Sequence, residues 1–160
     1  MDLMAENQGR LSGLEVLRKM MAEGRGPPIA ATLQFELAQV DPGRAVFRAT
    51  PGPHAYNPIG VVHGGLVCTL ADTAVGCAVQ TTLGSGVTFT SIDLNVSYLR
   101  PVTLDSGVLR AVGTVTKPGK RVAYAAAEIR DASDKVVATA TSSLLIINPV
   151  EPSSADEACS

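Results

Sequence analysis

Residues 61–82, VVHGGLVCTLADTAVGCAVQTT, decide how this chain reads. The run carries Ala, Val, Leu, Cys and Gly on nearly every side of a helical wheel, so it predicts a helix over 63–82 buried almost all round. Asp72 is the single formally charged side chain between Arg48 and Asp93. A carboxylate in such surroundings is costly unless it is paired, hydrogen-bonded or neutralised. Partly buried, it also becomes a stronger base than an exposed one. His63-Gly64-Gly65 stands at the predicted helix start. Backbone N–H groups there lack intrahelical partners and carry the positive end of the helix dipole. They can therefore hold an oxygen that gains charge. The plainer reading of the two glycines is close packing of the helix against a neighbour.

Outward from this run, the preceding segment 51–60, PGPHAYNPIG, holds three prolines and two glycines and predicts a loop. Asn57-Pro58 within it is a turn pair. Residues 29–40 and 44–50 predict a hairpin around Asp41-Pro42-Gly43. Residues 12–23 predict a short amphipathic helix, with Ser12 and Glu15 spaced as a capping box. It stops at GRGPP, Gly24 to Pro28. Downstream, 87–99 alternates as a strand. Strands at about 106–116, 121–130 and 135–147 follow, separated by short turns that imply antiparallel neighbours. A polar tail from 149 to 160 predicts disorder. One apolar helix with an antiparallel meander is an α+β arrangement. A sheet must curl round that helix, and a partner subunit is expected to finish covering it.

Composition bounds the function. With 160 residues, 46% hydrophobic and 18% charged, the chain predicts one soluble globular domain. A net charge of −2, no Trp and 4% aromatics argue against nucleic-acid or anionic-membrane partners. The N-terminus lacks the order of a signal peptide, and His63 and Asp72 argue against a membrane span at 61–79. Three cysteines (Cys68, Cys77 and Cys159) without a CxxC pattern indicate neither a disulfide framework nor a metal site. A reducing cytoplasm fits that usage.

Asn57 to Asp72 reads N-x5-H-G-G-x5-L-A-D, and residues 91–101 read SIDLNVSYLRP. Together with GKRVAYAAAEIRD at 119–131, these segments resemble the hotdog-fold acyl-CoA thioesterases of the phenylacetate-degradation and 4-hydroxybenzoyl-CoA type. The likeness covers about residues 30–147. It implies a long central helix wrapped by a curled antiparallel sheet, preceded here by the short N-terminal helix. It implies hydrolysis of an acyl-CoA to free CoA and a carboxylic acid, with no cofactor beyond the CoA of the substrate. Asp72 would be the catalytic carboxylate, as nucleophile or general base. Gly64 would supply the polarising amide, with Gly65 beside it toward the substrate. Asn57 would orient water or the carbonyl, and His63 would support the loop. No Ser or Cys stands where it would complete a nucleophile–His pair; Cys68, five residues past His63, is off the facing positions.

A strand hydroxyl is also implied. The motif favours Ser91, whereas strict alternation puts Thr90 on the helix side, and only a bulge would reconcile the two. Lys117, Lys120 and Arg121 cluster at a turn and in such a family can meet CoA phosphates, though turn charges are ordinarily just solvated. Rival readings are a non-catalytic acyl-CoA-binding hotdog protein and an enoyl-CoA hydratase. An intact Asp72 speaks against the first, and the His63–Asp72 spacing speaks against the second. Because Gly64 and Asp72 are eight residues apart on one helix, the expected assembly is a homodimer with shared active sites, pairing further into a dimer of dimers.

Overall fold

The computed structural model describes residues 9–149. Helix α1, Gly13–Ala22, starts at Ser12 through the expected capping box: Glu15 N–H donates to Ser12 Oγ, and Ser12 N–H donates to Glu15 Oε2 at 2.8 Å. The polar tail expected at 149–160 lies almost wholly in 150–160, outside the described residues.

The segment 29–40 is not one strand. Pro28–Leu33 forms a short helix, α2, because Pro28 pre-sets its first position and the following IAATL favours helix. Gln34 ends it in the left-handed region, at φ 54°. Strand β1 (Phe35–Asp41) then pairs with β2 (Arg44–Ala49) across the expected turn. The loop 51–60 holds a single 3-10 turn at Pro53–Ala55. The central helix α3 spans Gly64–Gln80.

The remaining strands are β3 (Thr88–Ser91), β4 (Asn95–Tyr98), β5 (Leu109–Lys117), β6 (Val122–Arg130) and β7 (Val136–Ile147). All pairs are antiparallel, in the order β1-β2-β5-β6-β7-β3, with β4 also on β7. The sheet curls about α3 as the hotdog resemblance implies. Leu70, Ala71, Ala74, Val75, Ala78 and Val79 of α3 are wholly buried against it.

Two sequence expectations change here. The strand 87–99 is broken into β3 and β4. From the Ser91–Leu144 pair to the Asn95–Thr141 pair, this edge advances four residues while β7 advances three. That one extra residue is a β-bulge. It is held by Asp93, whose Oδ1 accepts from Ser143 N–H and whose carbonyl accepts from Ser142 Oγ. Nor is α3 buried all round. Gly65 and Asp72 are exposed, with half-buried Thr69 between them, and these three lie one helical turn apart along one stripe. The sheet covers only the other faces.

No helix among the described residues is long and apolar enough to cross a membrane. Among them, no three His, Cys, Asp or Glu side chains gather as a metal site.

Candidate active site

The loop 51–60 and the first turn of α3 make one half of the candidate site. Asn57 folds its own loop: its Oδ1 accepts from Ile59 N–H and Val61 N–H at 3.1 and 3.3 Å, and its N–H donates to Val61 O. His63 N–H donates to Ala55 O, which docks the loop to the helix start. His63 is the N-cap of α3; its Nδ1 accepts from Gly65 N–H at 2.8 Å. That bond needs an unprotonated Nδ1, so in this arrangement His63 orders the turn rather than holding a proton there.

The same bond corrects the reading of Gly65 as a substrate donor, because its N–H is already spent. Gly64 N–H differs. No protein group among the described residues accepts it. Asn57, His63, Gly64 and Gly65 line a cleft of about 430 Å³, walled on its far side by Tyr98 to Val102.

Asp72 makes the other half. Its Oδ1 accepts from Ser91 Oγ at 2.9 Å. The bulge settles which hydroxyl faces α3. Phe89 packs inward with the core and Ser91 follows at the same parity. Thr90 therefore lies on the outer face, paired with exposed Leu145, and is corrected from a site-facing to an outward residue. Asp72 also lies near Cys77, whose thiol is pushed up to about 12, first by burial and then by the carboxylate charge.

Eight residues separate Gly64 from Asp72, about 12 Å along the helix axis. The two halves are thus apart within one chain. A second and larger cleft, about 1150 Å³, lies between α1, α2 and α3. It is lined by Leu17, Met20, Phe35, Phe47, Thr73 and Cys77 among others, and so reaches α3 one residue past Asp72.

Lys117, Lys120 and Arg121 sit exposed at the β5–β6 turn, and Lys117 Nζ lies 6.0 Å from the Tyr124 ring centre. Val122, Leu145 and Thr90 stand on one rung of the sheet. The basic cluster is therefore at the Asp72 end of the chain and away from its own Gly64.

Tyr98 falls within the strand that the sequence predicts over 87–99. It reaches α3: its Oη lies 2.8 Å from Cys68 Sγ and donates to Gly64 O at 3.1 Å. Ser91 and Tyr98 are seven residues apart, so strict alternation would point them to opposite faces. The bulge that turns both inward leaves no trace in the pattern.

The curled sheet about a central helix agrees with what similarity shows. The profile of the thioesterase superfamily matches residues 59–138, 80 of the 160, and the chain belongs to that superfamily. A Haemophilus influenzae protein that carries the name of an esterase is 33% identical over 92 residues, 58% of this chain. The chain covers 65% of that relative's length, just under two thirds. Human acyl-coenzyme A thioesterase 13 is 29% identical over 106 residues, 66% of this chain and 74% of its own. Among solved structures, the E. coli PaaI protein from the phenylacetic acid degradation operon superposes with a TM-score of 0.75 at 25% identity, covering 86% of this chain and 96% of that one.

Proposed function

We propose that the chain is an acyl-CoA thioester hydrolase whose active sites are shared between two subunits. The observation that carries this is the division of labour along α3: an unpartnered amide at Gly64, and an exposed carboxylate at Asp72 about 12 Å away. Each group must come within roughly 3 Å of one thioester centre. A two-fold axis beside the open stripe would set two α3 helices antiparallel and bring Gly64 of one chain to Asp72 of the partner subunit. It would also cover the exposed stripe. Relatives bearing thioesterase names support the reaction class.

The chemistry follows from the groups. Gly64 N–H donates to the thioester oxygen and stabilises the charge that develops on it. Asp72 either takes a proton from water that attacks the carbonyl carbon, or attacks that carbon itself to give an anhydride that water then opens. In both routes the C–S bond breaks and the sulfur leaves as CoA thiolate and is protonated. The water oxygen enters the carboxylic acid directly in the first route. In the second it enters the Asp72 carboxylate as water opens the anhydride at the Asp72 carbon, the product acid leaving with an Asp72 oxygen. Ser91 holds the carboxylate in place by its hydrogen bond. The Asn57 carboxamide, its oxygen committed to the loop, has its NH₂ left to orient the attacking water or the carbonyl. The larger cleft offers the volume for the acyl group, and Lys117, Lys120 and Arg121 would meet the CoA phosphates from the Asp72 side. The same dimers pair into tetramers in this proposal.

A panel of acyl-CoAs with a thiol reagent, run on wild type and on Asp72→Asn, tests it. Turnover of at least one acyl-CoA, reduced roughly 10²-fold or more in the variant with binding retained, is expected. Acyl-CoA binding without turnover in the wild type, or near-normal turnover in Asp72→Asn, overturns it. Single turnover in heavy-oxygen water separates the two routes, since the anhydride places label in the protein first.

A further inference from the structure

Tyr98 has a place that packing does not explain. Its side chain reaches α3, yet 54% of the residue is exposed, so the phenol buries little. What distinguishes it is contact with the first turn of α3. A Cβ built on Gly64 would lie 2.8 Å from Tyr98 Oη and 3.0 Å from its Cζ. The ring therefore rests directly on the glycine, and a side chain there would push the phenol away from the helix.

The phenol has one proton, and it goes to Gly64 O at 3.1 Å. The 2.8 Å contact with Cys68 must then be a thiol S–H donating to the phenol oxygen. Three side chains thus grip one turn: His63 accepts Gly65 N–H, Thr69 Oγ1 donates to Gly65 O at 2.9 Å, and Tyr98 donates to Gly64 O. They leave Gly64 N–H open, on the cleft that Tyr98 walls.

We propose that Tyr98 is a positioning residue for the reaction, clamping the first turn of α3 so that Gly64 N–H stays aimed at the thioester oxygen, with Cys68 holding the phenol in register. This rests on the role of Gly64 given above. A role as proton donor does not fit, because the single phenol proton is already given to Gly64 O. At neutral pH it is a fixed neutral donor whose proton is already engaged.

The test uses full-length protein and the best acyl-CoA of the panel. Tyr98→Phe keeps the ring and removes the donor. kcat is expected to fall about tenfold, the scale of one lost hydrogen bond, while KM and melting temperature hold. The Gly64 amide signal in a ¹⁵N–¹H NMR spectrum should shift. Cys68→Ser, which retains a donor, should keep wild-type kcat, and Cys68→Ala should lose about threefold.

A packing role would instead lower the melting temperature and move KM with kcat, and that result overturns the proposal. So does a Tyr98→Phe kcat within twofold of wild type, or an unmoved Gly64 signal. If the wild type turns over no acyl-CoA, the hydrolase reading fails and takes this role with it. If the wild type is active, Asp72→Asn is dead and Tyr98→Phe is normal, this inference alone fails.

Discussion

The two faces of α3 use small residues for different reasons. On the closed face, Ala74 and its neighbours are small because the chain's own sheet lies directly against them. A Cβ on Gly113 of β5 would come within 2.1 Å of Ala74 O, so the helix and strand backbones nearly touch there. On the open face Gly65, Thr69 and Asp72 meet no such neighbour among the described residues. A run of small apolar residues records close approach on both sides, but it does not say what approaches. The charge does. The closed face carries none, whereas the open one carries a carboxylate held by a single hydrogen bond from Ser91.

The closed face should break first. Gly113→Ala forces two backbones apart and is expected to cost about 3 kcal/mol, the upper end of overpacking effects. A urea midpoint showing a loss under 1 kcal/mol would contradict the tight seam.

The open face is tested by mixing subunits. Asn57→Ala and Asp72→Ala proteins, each inactive, are unfolded and refolded together. In a mixed dimer one shared site collects both lesions and the other collects neither. With random pairing about half of the dimers are mixed, so about a quarter of wild-type activity should return. No recovery, with mixed dimers confirmed by mass, would mean each site belongs to one chain.

The smallest effect concerns the turn at 117–121, which belongs to neither face. Reversing the charges of Lys117, Lys120 and Arg121 should leave folding and assembly alone and raise KM about tenfold, with kcat nearly unchanged. Wild-type KM should climb with salt as such contacts are screened. An unchanged KM in the triple variant would return these residues to solvated turn charges.

Much of the architecture was legible because it rests on period and punctuation. The capping box at Ser12 and Glu15, the long small-residue helix and the three-strand meander from 109 to 147 all follow from those signals. Helix α2 was missed because five residues of IAATL are too few for a helical period to stand out from a strand's. Asp72 was read as buried because sequence cannot separate a face that packs on its own sheet from one left open. The place of His63 at the helix start is legible, but its bond to Gly65 N–H, which occupies that donor, needs coordinates. Thr90 and Ser91 could not be separated without seeing the extra residue between β3 and β4. Tyr98 was hidden by the same residue.

That extra residue acts as a change of phase in the edge strand. Upstream of it odd-numbered side chains look toward the helix, and downstream even-numbered ones do. An edge strand that kept a single beat could give Asp72 its hydroxyl or Gly64 its phenol, but not both. The one-residue slip, pinned by Asp93, lets a single ribbon of chain address both ends of α3. A loss or gain of one residue at 92–93 would therefore silence one end while leaving the other intact, even though neither Ser91 nor Tyr98 had been altered.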